Sequence, residues 1–195
     1  MPQRLRADAE RNRAALLTAA REVFGDQGLD ASLDEIARRA GVGNATLYRR
    51  FPTRRDLISE VFAGQMTEYV ELATLALHEP DPWDAFAGYL TRLFELQATD
   101  RGLSELLVST SFDDDPRLAE LRTAAQRGAS EVIARAVGAG VLRPDFSRRD
   151  ISLLMRANAG VIQRSQPGAW RRQLDLLLNG LEAKNPRPGG DKAVI

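Results

Sequence analysis

The chain has 195 residues, 44% of them apolar and 28% charged, which is enough to build one ordinary core or two small domains sharing an interior. It has no cysteine, excluding disulfides, thiolate metal sites and cysteine nucleophiles, and one histidine, His78, around which any histidine metal site or triad would have to be built. Its 27 basic and 27 acidic residues cancel, but residues 1–55 hold 11 Arg against 7 carboxylates, so a net +4 sits in the first quarter and −4 in the rest. A basic end on a neutral chain points to one region that meets a polyanion.

Helical periodicity dominates, and no convincing alternating strand is present. The first segment spans about Asp8 to Gln27, with Leu16, Ala20, Val23 and Phe24 on one buried face and Gly28 as its stop. The second opens with Ser32-Leu33-Asp34-Glu35, in which Ser32 is expected to cap and Glu35 to reach back. Gly41-Val42-Gly43 makes a turn, and a short third helix covers about Asn44 to Arg50. Thr53 caps a long fourth helix ending near His78, where a cation complements the helix dipole. Asp81 followed by Pro82 starts a fifth helix bearing Trp83, Phe86, Leu90, Leu93 and Phe94.

A sixth helix is expected around Leu103–Thr110. The run Asp113-Asp114-Asp115-Pro116 starts a seventh, and those acids serve a helix N-terminus rather than a cation site. Ser147-Arg148-Arg149-Asp150 has the capping-box pattern and opens helix eight after a loop over 138–146. Trp170, Leu174, Leu177, Leu178 and Leu181 mark helix nine. The final stretch, with two Pro and two Gly in Asn185–Ile195, is expected to be a disordered tail. The fold class is therefore all-α with about nine helices, divided as 1–52, 53–182 and a tail from 183. The first residues lack the apolar core of a secretory signal. The longest uncharged run, Ala40–Tyr48, has nine residues against the roughly 18 a membrane span needs, so a soluble cytoplasmic chain is expected.

Helices one to three form a helix-turn-helix unit. Ala40 is small where the helices approach, Gly41 permits a positive φ, and Leu47 and Phe51 seat the third helix inward. Asn44, Ala45, Thr46, Tyr48, Arg49 and Arg50 are left on an outer face suited to the major groove. In register, Ala14-Ala15-Leu16-Leu17, Phe24, Gly28, Ser32-Leu33, Ile36-Ala37, Ala40-Gly41-Val42, Ala45-Thr46-Leu47-Tyr48, Phe51-Pro52, Arg54 and Asp56-Leu57 resemble the TetR family of bacterial transcriptional regulators. The resemblance implies phosphate contacts from Ser32, Thr46, Tyr48 and Arg54, and base contacts from Asn44 and Ala45. Arg49 and Arg50 are placed on bases or phosphates. Arg4, Arg6, Arg11 and Arg13 form either a solvated arm or a minor-groove arm.

The resemblance also implies that helices four to seven enclose an effector cavity and that the last two helices pair two copies. The aromatics and apolar residues clustered between 62 and 112 suit a mainly apolar pocket: Phe62, Met66, Tyr69, Trp83 and Phe86, with Tyr89, Phe94, Leu103, Leu107 and Phe112. Arg92, Gln97, Asn158 and Gln163 are polar residues near enough in pattern to orient a ligand. Ile151, Leu154, Met155 and Ile162, with Trp170, Leu174, Leu177 and Leu181, form two late apolar stripes suited to a four-helix dimer bundle. A dimer also serves DNA reading, since two heads about 34 Å or more apart read a palindrome. The expected function is thus a homodimeric repressor bound to a double-stranded operator and released by a small, mainly apolar effector. A DNA-binding regulator without an effector is the alternative. No enzyme, metal or cofactor is expected.

Overall fold

The computed structural model describes residues 2–183 except 110, 111 and 113; the tail from 184, Thr110, Asp113 and the side chains of Arg4 and Arg6 lie outside the described residues. Nine helices occur among these residues: α1 (Pro2–Gln27), α2 (Leu33–Arg39), α3 (Asn44–Arg50), α4 (Arg54–His78), α5 (Pro82–Thr99), α6 (Arg101–Val108), α7 (Pro116–Gly138), α8 (Arg148–Arg164) and α9 (Ala169–Leu181). The first helix begins at Pro2 rather than near Asp8, because proline is well placed in an opening helical turn. The N-terminal arm therefore has a helical backbone, on which Arg11 pairs with Asp8 while remaining largely exposed and Arg13 pairs with Glu60 of α4.

Four of the five expected caps are present. Thr53 Oγ1 accepts from the Asp56 N–H at 3.1 Å, while the Thr53 N–H donates to the Asp56 carboxylate at 3.0 Å. Asp81 accepts from Trp83 and Asp84, and Asp115 from Arg117 and Leu118, each ahead of a first-turn proline. The Ser147 N–H donates to the Asp150 carboxylate at 2.7 Å. Asp100, not anticipated, caps α6 through Leu103 at 2.8 Å and accepts from Gln65 at 2.6 Å. Ser32 occupies the cap position of α2, but its side chain makes no cap bond. Glu35, expected to reach back to it, instead accepts from Arg38 and Arg39 one turn ahead.

α1, α2 and α3 close over Leu16, Ala20, Val23, Phe24, Ile36, Leu47 and Phe51, all buried. Gly41 makes the turn between α2 and α3 at φ +68°, open to glycine and strained for other residues. The apolar core continues without a break into the helices behind: Phe24 lies 6.2 Å from Phe62 of α4, ring centre to ring centre. There α4 packs lengthwise on α7. The two approach so closely that a Cβ on Gly128 would sit 2.5 Å from the Cβ of Ala73. α5 packs against both helices of this pair and α8 against α7, α6 lies between α1, α5 and α8, and α9 covers α5 and α8. An isolated antiparallel bridge between Leu142 and Glu182 ties the end of α9 to the loop before α8.

Candidate DNA-binding surface and effector cavity

α3 presents an outer face because Leu47 takes its inward position and is buried. Asn44, Ala45, Tyr48, Arg49 and Arg50 are exposed, Tyr48 at 48%, and Thr46 is half-buried. A large aromatic so uncovered is not held by the core. The neighbouring cations sharpen the face by contrast. Arg38 and Arg39 are bound to Glu35, whose carboxylate those two arginines hold below its usual range. Arg21 faces Glu68, and Arg55 pairs with Asp114. Among the described arginine side chains up to residue 55, only Arg49 and Arg50 have neither a hydrogen bond nor an ion pair. Asn44 is oriented by Asp34, to which its amide donates at 2.7 Å.

One of the expected DNA contacts, Arg54, also has work inside the fold. Arg54 is half-buried, and its Nη1 donates to the carbonyls of Leu29 at 2.8 Å and Ala31 at 2.6 Å. It thus fastens the start of α4 to the turn before α2. Glu105 of α6 grips the same turn from the other side, accepting from the Leu29 N–H at 2.8 Å. Ser32, exposed and free of a capping bond, remains beside that turn.

Behind the head, a cavity of about 230 Å³ opens between α4, α5, α7 and α8. Met66 and Tyr69 come from α4, Tyr89 and Leu93 from α5, and Leu107 from the end of α6. α7 supplies Arg122, Ala125, Gln126 and Ala129, and α8 supplies Arg148, Ile151, Ser152, Met155 and Arg156. Of the ten residues expected to line a pocket, Met66, Tyr69, Tyr89 and Leu107 do so. The other six are placed elsewhere by stronger packing. Phe62 faces Phe24, and Phe86 meets Phe146 edge-on at 5.3 Å with Trp83 at 5.9 Å. Phe94 and Leu103 are fully buried in the core, and the ring of Phe112 lies under Arg55 at 5.4 Å.

Gln97 and Asn158 are buried but turned to each other: the Asn158 amide donates to Gln97 Oε1 at 3.0 Å, and Gln97 donates to the Met155 carbonyl at 3.2 Å. Arg92 pairs with Glu95, and Gln163 is exposed. The resemblance placed α7 in the cavity wall without naming its residues, whereas the contribution of α8 was not expected. Its available signal was the repeat of Arg148, Ser152 and Arg156 at intervals of four, beside the apolar pair Ile151 and Met155.

The late apolar stripes divide likewise. Ile151, Met155, Trp170 and Leu174 are buried within this chain, the first two in the cavity wall. Leu154, Ile162, Leu177 and Leu181 are half-buried, while Leu153 at 63% and Leu176 at 57% stand exposed on the same two helices.

Residues 16–61 match the bacterial regulatory proteins of the tetR family, and residues 81–183 match the C-terminal domain of SbtR-like transcriptional regulators. The transcriptional repressor LfrR of Mycolicibacterium smegmatis is 32% identical over 181 residues, 88% of this chain and 89% of that one. A TetR transcription regulatory protein from Mycobacterium vanbaalenii is 32% identical, with a TM-score of 0.58 over 91% of this chain and 99% of that structure. RolR in complex with resorcinol shares the fold alone, at 19% identity and a TM-score of 0.59 over 94% and 98%. Two Pseudomonas putida regulators match over 66 residues, and those matches span only 31% and 49% of their lengths. The chain belongs to the TetR family of transcriptional regulators.

Proposed function

We propose that this chain is a ligand-responsive repressor that binds a palindromic operator as a homodimer and is released when a small molecule enters the cavity. The observation that carries the reading is the outer face of α3, where Tyr48 is exposed and, among the described residues, Arg49 and Arg50 are unpaired while the neighbouring Arg38 and Arg39 are bound to Glu35. Unpaired cations next to an exposed phenol suit phosphate contacts and groove edges, and Asn44, Ala45 and Thr46 lie at the end of α3 that enters the groove first. The resorcinol complex of a fold neighbour and the open cavity here support an effector.

α4 is the lever. It starts at Arg54, fastened to the turn of the head, and carries Met66 and Tyr69 into the cavity wall. An effector that binds better when α4 is displaced draws the two heads away from operator spacing. Complete switching from 1:99 to 99:1 needs a preference of about 5.5 kcal/mol. The experiment is a mobility shift at fixed salt with DNA from upstream of the protein's own and adjacent genes, using excess competitor. A palindrome should be protected, and Tyr48→Ala should abolish the specific complex while circular dichroism and dimer mass stay unchanged. Normal binding by Tyr48→Ala would remove α3 from the DNA contact.

A further inference from the structure

The cavity is built with an apolar floor and a cationic mouth. Met66, Leu93 and Met155 are buried and close its inner side. Arg122, Arg148 and Arg156 stand around its opening, and no carboxylate is found among the described residues that line it. Arg148 and Arg156 have no hydrogen bond or ion pair among the described residues. Arg148 and Arg156, facing one small space, repel one another in the empty protein, with Arg122, which also donates to the Phe112 carbonyl, beside them; an anion between them relieves that repulsion.

A second observation lies deeper. The Tyr69 hydroxyl is buried in the cavity wall and has no hydrogen-bond partner. A buried hydroxyl without a partner is costly, so this group is poised for an acceptor that arrives with a ligand. Burial pushes the Tyr69 phenol well above its ordinary range and that of Tyr89 up to about 12, so both keep their protons at neutral pH. The ionisable groups of the wall are then all donors, two phenols and three guanidiniums.

Size narrows the choice. A cavity of about 150 Å³ accommodates benzene, so 230 Å³ holds one ring or a short chain with a polar head. Resting on the effector reading above, we infer that the effector is a small amphipathic carboxylate. Its apolar body lies against Met66, Leu93 and Met155, an oxygen accepts from Tyr69, and its charge is held by Arg122, Arg148 and Arg156. The mainly apolar molecule expected from sequence accounts for the floor but not for the mouth. Arginine is suited to this role because its planar fork matches a carboxylate and stays charged at every working pH.

Matched acid and alcohol pairs test this on the full chain at constant ionic strength: benzoate against benzyl alcohol, and octanoate against octanol, with acetate as the control for general salt effects. Calorimetry and thermal shift should show each acid binding about ten- to a hundredfold more tightly than its alcohol. In Arg148→Gln/Arg156→Gln that preference should fall to near unity with helicity unchanged, and Tyr69→Phe should weaken both acids. Equal binding of alcohols and acids, acid binding unaffected by the double substitution, or no binding by either acid would each overturn the proposal. The same ligands in the mobility shift separate it from the repressor reading. Release of DNA by the alcohols alone leaves the regulator standing and removes the anion, whereas arginine-dependent acid binding that leaves DNA bound does the reverse.

Discussion

Asp115 shows how one carboxylate serves two elements. It caps α7 and accepts from the Ser59 hydroxyl of α4. Burial alone would raise its pKa. The donors from Ser59, Leu118 and Arg117, with the charge of Arg55, outweigh that and hold it below the ordinary value. A depressed carboxylate contributes stability that is fully present above its unfolded value, about pH 4, and is lost as pH falls through the folded value. Asparagine caps a helix about as well as aspartate but does not titrate. Asp115→Asn should therefore flatten the acid limb of stability, by up to about 1.4 kcal/mol per pH unit where the carboxylate takes up its proton. Urea midpoints between pH 2 and 6 measure it, and identical acid limbs in the two proteins would exclude this role.

At the scale of elements, α8 and α9 each have a face turned inward and a face left uncovered. Leu153 and Leu176 are the large exposed side chains of the uncovered side, with Ala157 exposed and Gly160 half-buried one and two turns along from Leu153. Small residues let two copies of α8 approach closely, and a two-fold axis would set each patch against itself. Leu153→Glu/Leu176→Glu should give monomers in sedimentation with unchanged helicity, and a persisting dimer would place the contact elsewhere. Sequence located the starts of α4, α5, α7 and α8 because Thr53, Pro82, Pro116 and Asp150 act over one turn. It could not divide the apolar stripes. Trp170 and Leu174 carry the same pattern whether this chain or a second copy buries them, and the nearest partner takes them first. The same limit applies to Phe86, whose pattern says that it is buried but not that Phe146 is what buries it.

In the whole molecule, head and body are joined by polar ties as well as by a shared core. Leu29 is held by Arg54 of α4 and Glu105 of α6, and Glu60 links Arg13 of α1 to Arg117 of α7. The helix-turn-helix was legible because its turn, its buried Leu47 and its outer face lie within about 20 consecutive residues. The cavity was not, because residues from 66 to 156 converge there and no local pattern announces that meeting. Arg122 belongs to both regions: it lines the cavity, and its Nη1 donates at 2.7 Å to the carbonyl of Phe112, whose ring lies beneath Arg55 at the head of α4. A wall residue that also ties down the approach to α7 leaves adaptation little freedom at that position. On the proposed effector reading, new ligands should be acquired by changing Arg148 and Arg156, which have no hydrogen bond or ion pair among the described residues. Changes at Arg122 should alter resting repression whatever the ligand. Saturating the three positions in a reporter strain without effector would show the difference: tight repression across the α8 variants, and leaky expression concentrated at residue 122.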